Sequence, residues 1–330
     1  MGTPATMRAL HQTSRHGPRD MRLVTDSPVP QPGPGEVLIR VTAAGVNFAD
    51  VSKAYGAFRH GPVPPYVAGF EAAGTVVAVG EGVTGPLPGA RVVGIGDGAF
   101  AEYLVLPAAG AVPVPPDWTE AQTLGLLVNW PTALAALRPL GGVEAGQVVL
   151  IHAAAGATGQ AAVRIARHHG ATVLAAAAPD KHDTVRALGV EHVLDSRSDD
   201  LAARVRELTG GAGADLVLES AGGATFAASL AAAKRVTGRV VVYGMAGGDA
   251  QVTNRDLVYR HQIHLVGLNV GVLMQAAPRL FDELMAELSG LIAAGVLTPT
   301  DPTGYDLADG TTALVELESR ATVGKLALLP

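Results

Sequence analysis

Apolar positions follow two different rhythms along this chain. Before Thr119, short β-like runs (Glu36–Thr42, Gly74–Val79, Ala90–Val93, Ala101–Val105) are separated by turn clusters such as Gln31-Pro32-Gly33-Pro34-Gly35 and Gly85-Pro86-Leu87-Pro88-Gly89. Many short strands broken by proline and glycine predict an all-β, barrel-like unit. From Thr119 onward the runs Val148–Ile151, Thr172–Ala176, His192–Leu194, Asp215–Leu218 and Arg239–Tyr243 each lead into a turn or a helical stripe. One such stripe is Leu201, Val205 and Leu208, which follows Ser198-Asp199-Asp200 as N-cap and acidic first turn. Strand–helix alternation of this kind predicts an α/β domain with a doubly wound parallel sheet. A further apolar strand (Ile263–Leu268), a long helix (Pro278–Ala294) and a strand-like closing segment (Ala321–Leu329) follow. The parallel-sheet domain is therefore expected as an insertion, with residues 123–266 inside a β-rich domain of residues 1–122 and 267–330.

One stretch carries most of the chemistry. Residues Val148 to Arg167 read as a strand, a turn of very small residues and a helix in which Ala162, Val163 and Ala166 are apolar while Arg164, Arg167 and His168 face water. A small turn lets backbone N–H groups approach a pyrophosphate, and the helix start adds a positive dipole end. The spacing is Ala154-x-Gly156-x-x-Gly159, with alanine at the usual first glycine. The second strand, Ala171–Ala178, ends in Ala176-Ala177-Ala178-Pro179, where an NAD-preferring site places an acid for the ribose 2′-OH. Lys181 comes just beyond it, and Arg197 follows the next strand, Glu191–Asp195. Cations without the acid suit a 2′-phosphate, so NADPH is expected in preference to NADH. The competing readings are an ordinary Ala/Gly-rich turn and a solvated lysine beside Asp180.

Composition narrows the classes. The 330 residues allow two domains, and 48% hydrophobic with 16% charged residues fits a well-buried enzyme rather than a disordered chain. A net charge of −6 without a basic block argues against nucleic acid. No secretory h-region is visible, and the longest uncharged stretch, Gly146–Val163, is interrupted by Gln147, His152 and Gln160, so a cytoplasmic protein with no membrane span is expected. With no cysteine there is no disulfide, thiolate nucleophile, iron–sulfur cluster or Cys-ligated zinc. The ten histidines are scattered, and no metal site is expected.

Six segments, in order, resemble the medium-chain dehydrogenase/reductase superfamily and its zinc-free quinone oxidoreductase (zeta-crystallin-like) branch: Pro32-Gly33-Pro34-Gly35-Glu36-Val37, Ala44-Gly45-Val46-Asn47-Phe48-Ala49-Asp50, Gly69-Phe70-Glu71-Ala72-Ala73-Gly74, His152-Ala153-Ala154-Ala155-Gly156, Leu208-Thr209-Gly210-Gly211 and Glu318-Ser319-Arg320-Ala321-Thr322-Val323-Gly324-Lys325. The resemblance runs nearly end to end. It implies a Rossmann domain inserted in a GroES-like barrel. Zinc-dependent relatives have Gly-His-Glu where this chain has Gly69-Phe70-Glu71, so the ligand histidine is replaced by Phe70. Without a Lewis acid the alkoxide of an alcohol oxidation has no evident stabiliser. The resemblance then implies reduction of a quinone or another activated acceptor.

It also implies roles for single residues. Asn47 and Thr132 would lie near the nicotinamide carboxamide and ribose. The backbone of Ala155, Gly156, Ala157 and Thr158 would face the pyrophosphate, and Lys181 and Arg320 the 2′-phosphate. Arg197 is taken as a substitute for a tyrosine that relatives have nearby. Tyr243-Gly244 would lie beside the nicotinamide. Asn47 and Asp50 are the catalytic candidates, as orienting groups. Phe58, Phe70 and Trp130 are candidate walls of an apolar pocket, and Tyr55 is assigned to core packing.

Two departures stand out. Ala157 takes the place of a glycine, which is costly only if its φ is positive. Phe58 stands near where enoyl-thioester reductases carry a tyrosine acid. The segments Ile151–Val163 and Lys181-His182-Asp183-Thr184 also resemble enoyl-reductase modules of polyketide synthases, which keeps an enoyl or enone reductase as the alternative. A non-catalytic NADPH-binding protein is the alternative of another class. A small electrophilic substrate and a homodimer through the strand Ile263–Leu268 complete the expectations.

Overall fold

The strand Glu36–Val46 is the spine of the β-rich unit. It buries Val37, Leu38, Ile39 and Val41 and pairs antiparallel with Glu71–Val79 on one side and Tyr103–Pro107 on the other. Its pairing with Glu71–Val79 is so close that a Cβ at Gly74 would stand 2.0 Å from the Arg40 carbonyl oxygen, so only glycine fits there. The seven-stranded sheet continues through Arg91–Ile95 to Val112–Pro113 at one end and through Leu326–Leu329 to Thr303–Asp306 at the other. A smaller sheet has the order Met21–Pro28, Thr6–Gln12, Tyr66–Val67. Leu10, Ile39, Phe100, Leu104, Leu106 and Leu328 are shut into the core of this unit.

The computed structural model describes residues 3–58 and 61–330. The chain divides into residues 1–127 with 299–330, and residues 128–298. The second unit is thus an insertion, and it extends further than the expected residue 266. The strand His264–Gly267 is the last of its sheet, and the helices Val270–Ala276 and Pro278–Ala293 that follow pack against Asn129–Leu137 of the same unit.

That unit holds six parallel strands in the order His192–Asp195, Thr172–Ala177, Val148–Ile151, Leu216–Glu219, Arg239–Val242, His264–Gly267. The chain runs outward from Val148–Ile151 in one direction and then returns to build the other half. The order reverses between Val148–Ile151 and Leu216–Glu219, and ligands of such sheets bind outside the carboxyl ends of the strands at that switch point. The central strands are buried on both faces, which is why they read as continuous apolar runs. The helix Ala157–His168 buries Ala161, Ala162, Val163, Ile165 and Ala166, leaves Arg167 and His168 exposed, and is closed by Gly170 at φ 76°.

Candidate functional site

The small-residue loop lies where the strand order reverses. His152 continues the first strand, Ala153 turns at φ 49°, and Gly156 N-caps the helix at φ −80° with its N–H donated to the Ala153 carbonyl at 2.9 Å. The left-handed residue is therefore Ala153, and Ala157 is an ordinary first helical residue. The first N–H groups of this helix, from Ala157 and Thr158 on, have no acceptor within it. The two glycines differ. A Cβ on Gly159 would stand 2.2 Å from the Ala153 oxygen, so its absence lets helix and loop pack. A Cβ on Gly156 would meet only that same oxygen, at 3.3 Å, so the protein's own packing leaves room there for an incoming group. Thr158 is held by the Asn129 amide, which donates to its Oγ1 at 3.0 Å, and Thr132 donates to the Val128 carbonyl at 2.6 Å.

Beyond the second strand, Pro179–Lys181 forms a short helical turn. Lys181 is 8% exposed, and burial holds its ammonium below the usual lysine range, with Arg197 adding to the effect and Asp180 opposing it. Arg197 reaches Asp180 at 3.4 Å with both side chains largely exposed. The structure thus brings Lys181 and Arg197 together at the ends of adjacent strands. Tyr243 and Gly244 follow the strand Arg239–Val242. The Tyr243 N–H bonds the Glu219 carbonyl at 2.9 Å, and burial pushes its phenol up. A Cβ on Gly244 would lie 2.5 Å from the Ser220 oxygen.

Beneath these ends lies a polar cluster with no sequence signal. Buried Glu219 accepts the Ala221 and Gly222 N–H groups at 2.6 and 3.0 Å, and Ser229 Oγ stands 2.9 Å from His152 Nε2. Burial pushes His152 down to about 4, so it is neutral at pH 7 and serves the packing of the first strand end.

The β-rich unit holds the second cluster. Asn47 precedes the helix Phe48–Ala54, and its N–H donates to Asp50 Oδ2 at 2.9 Å. Its side-chain amide is held at both ends: Nδ2 donates to Glu71 Oε2 at 2.9 Å, and Oδ1 accepts from Lys325 Nζ at 2.7 Å. Lys325 also bonds Glu71 Oε2 at 2.7 Å, and Glu71 Oε1 accepts the Gly125 N–H at 2.5 Å. Asn47, Asp50, Glu71 and Lys325 are all buried. Glu71 and Lys325 lie in the segments 69–74 and 318–325, but nothing in either segment by itself marks them as partners.

The aromatic candidates fare unequally. Phe58 is 38% exposed, while Trp130 is buried at 8% in the inserted unit. Phe70 is half-buried, with Lys53 Nζ 4.5 Å above its ring. Tyr55, assigned to the core, is 49% exposed instead, because its hydroxyl donates to Glu318 at 2.6 Å at the surface. Arg320 lies in the turn after the helix Gly310–Glu318, at φ 58°.

Residues 33–116 match the alcohol dehydrogenase GroES-like domain, and residues 157–289 match the family described as zinc-binding dehydrogenase. A mycobacterial protein solved in complex with NADPH is 35% identical, with a TM-score of 0.91 over 98% of this chain and 100% of that one. The chain belongs to the medium-chain dehydrogenase/reductase superfamily. Other solved members are a quinone oxidoreductase of Pseudomonas syringae (31% identity, TM-score 0.89, 98% of this chain and 100% of that one) and the enoyl reductase CurK (28%, 0.87, 98% and 99%). A mycocerosic acid synthase-like polyketide synthase of Mycobacterium tuberculosis is 37% identical over 90% of this chain, which spans only 14% of that protein's length.

A zinc ion, implied by the second family's description, does not fit this superfamily member. Phe70 offers no donor, the chain has no cysteine, and the Glu71 carboxylate is occupied by Lys325, Asn47 and Gly125. Among the described residues no three His, Asp or Glu side chains form a metal-binding group, and no helix is long and apolar enough to cross a membrane.

Proposed function

We propose that this protein is an NADPH-dependent, zinc-independent reductase of quinones and related activated acceptors. The observation that carries this reading is the switch-point loop with room at Gly156, together with the Lys181–Arg197 pair beside it and no acid at the end of Thr172–Ala177. These residues fit a 2′-phosphorylated dinucleotide. Ala155, Gly156, Ala157 and Thr158 would hold the pyrophosphate through backbone N–H groups. Lys181, Arg197 and Arg320 would hold the 2′-phosphate, and Asn47 and Thr132 the nicotinamide end, with Tyr243 and Gly244 alongside. Phe58, Phe70 and Trp130 remain the proposed apolar walls.

When bound, NADPH supplies a hydride, and the protein contributes position and exclusion of water. The two-ended anchoring of the Asn47 amide supports its place as an orienting group. The likeness to a polyketide synthase and to CurK favours an enoyl or enone reductase as the second reading. NADPH oxidation with 1,4-quinones, simple enones and enoyl thioesters separates the two. Faster turnover of quinones supports the first reading, and turnover of the thioester alone replaces it with the second. NADPH binding with no turnover of any acceptor would leave a non-catalytic binding protein. We further infer a homodimer through His264–Gly267, the edge strand of its sheet, and sedimentation as a monomer would reject it.

A further inference from the structure

The helix Phe48–Ala54 and the segments around Tyr66 and Asp97 border a half-open cleft of about 230 Å³. Sites for drug-sized ligands run to about 300–1,000 Å³, so this one suits a molecule of one or two rings. Val67 and Ala68 are part of its apolar wall, and Asp50, Lys53, Tyr66 and Asp97 are its polar lining. All of them belong to the β-rich unit.

Two donors in this lining are not used up by the protein. Lys53 Nζ donates to Asp97 Oδ1 at 3.3 Å, a long bond to a side chain that is 90% exposed. It also lies 4.5 Å over the Phe70 ring. An ammonium has three N–H groups, so two remain for a ligand. Tyr66 is half-buried, and its hydroxyl makes no hydrogen bond among the described residues.

Charge decides what these donors take. One ammonium shares the lining with two carboxyl groups, so the cleft has no net positive charge whether or not Asp50 is protonated. Arg15, near Tyr66, stands outside the lining and is exposed, so salt screens it. An anion gains nothing from such a lining. An uncharged carbonyl oxygen, which only accepts, suits both donors.

We propose that this cleft is the acceptor subsite: Lys53 Nζ and the Tyr66 hydroxyl hold the carbonyl of an uncharged one- or two-ring acceptor, and Asp97 sets the preference for uncharged over anionic acceptors. The assignment rests on the reductase reading above and narrows its substrate class to neutral carbonyl compounds.

The test compares two acceptors of one ring system, 1,4-naphthoquinone and its 2-sulfonate, at saturating NADPH. Lys53→Met is expected to raise KM for the neutral quinone about 10-fold or more, and Tyr66→Phe about 2–10-fold, with NADPH affinity unchanged. Asp97→Asn, a change at an exposed position, removes a negative charge and should move the kcat/KM ratio toward the sulfonate by about 2–5-fold. Lys53→Met should move that ratio the other way. A merely structural role would not shift the ratio in opposite directions, and a ratio that Asp97→Asn leaves unmoved overturns the charge assignment. Calorimetric binding of the neutral quinone, with and without NADP⁺, gives a readout free of turnover. Wild-type affinity in both Lys53→Met and Tyr66→Phe, or no binding by the wild type, overturns the subsite. Should Lys53→Met fail to fold, Tyr66→Phe and Asp97→Asn decide. Binding that depends on Lys53 and Tyr66 without NADPH oxidation by any acceptor keeps the subsite and sinks the reductase reading. Turnover that none of the three variants alters keeps that reading and removes the subsite.

Discussion

Lys325 Nζ lies 2.7 Å from Glu71 Oε2, joining two side chains 254 residues apart that are 6% and 0% exposed. The contact exists because position 45 is glycine. A Cβ there would stand 2.3 Å from Glu71 Oε2 and 3.1 Å from Lys325 Cε. The pair holds the Asn47 amide from both sides, and Asn47 in turn ties Asp50 through its backbone N–H.

Removing one partner of this pair leaves a charge buried without compensation. Lys325→Met is expected to cost about 3–5 kcal/mol in urea unfolding. The double variant Glu71→Gln/Lys325→Met should recover part of the loss, because no unpaired charge then remains. A Lys325→Met midpoint equal to that of the wild type would show that the pair is not closed to solvent.

The loop glycines separate by what they accommodate. Gly159→Ala drives a methyl into the Ala153 carbonyl and is expected to destabilise the fold by about 1–3 kcal/mol. Gly156→Ala has a tolerable φ and an open site, so its stability should stay within about 1 kcal/mol of the wild type. NADPH affinity, read by nucleotide fluorescence, should nevertheless drop in Gly156→Ala. Unaltered affinity would place the pyrophosphate elsewhere.

Lys181→Ala tests the phosphate site. A charge-assisted contact contributes roughly 1.5–3 kcal/mol, or about 10–150-fold in affinity. The expected result is a loss of NADPH preference over NADH by about that factor, with the maximal rate retained. Arg197→Ala should do less, since that side chain is largely exposed. Equal discrimination before and after the change at Lys181 would remove it from the site.

Asp50 also makes stability depend on pH. Its folded-state value of about 7 lies above the ordinary 3.8, so the folded protein holds the proton more tightly than the unfolded chain. That contribution is complete below about pH 3.8 and is lost as pH rises through about 7. Measured against Asp50→Asn, the wild type should lose stability on the order of a few kcal/mol between those limits. A gap between the two proteins that does not vary with pH would refute a buried neutral acid.

The parallel strands were legible almost to the residue, because strands buried on both faces must be apolar throughout: Val148–Ile151 matches its run, and Thr172–Ala177 and His192–Asp195 differ by one position. Met21–Pro28 escaped notice because Arg22, Leu23, Thr25 and Asp26 face solvent, and neither face shows a clean alternation. The helices Phe48–Ala54 and Gly310–Glu318 are too short to show a stripe against their flanks. In the candidate site, the small-residue loop and Lys181 announce themselves, since a phosphate needs room and charge within one stretch of chain.

Local order along the chain was enough to determine the two rhythms, the insertion of one domain in the other, the turn at Gly156 and the want of cysteine ligands. The packing of strands and helices against one another decided the remainder: that Glu71 meets Lys325, that Ser229 meets His152, and that Tyr55 turns outward to Glu318. Periodicity records which face of an element is buried, and it holds no record of which buried group lies opposite across the core. That pairing is set only when distant strands close against each other.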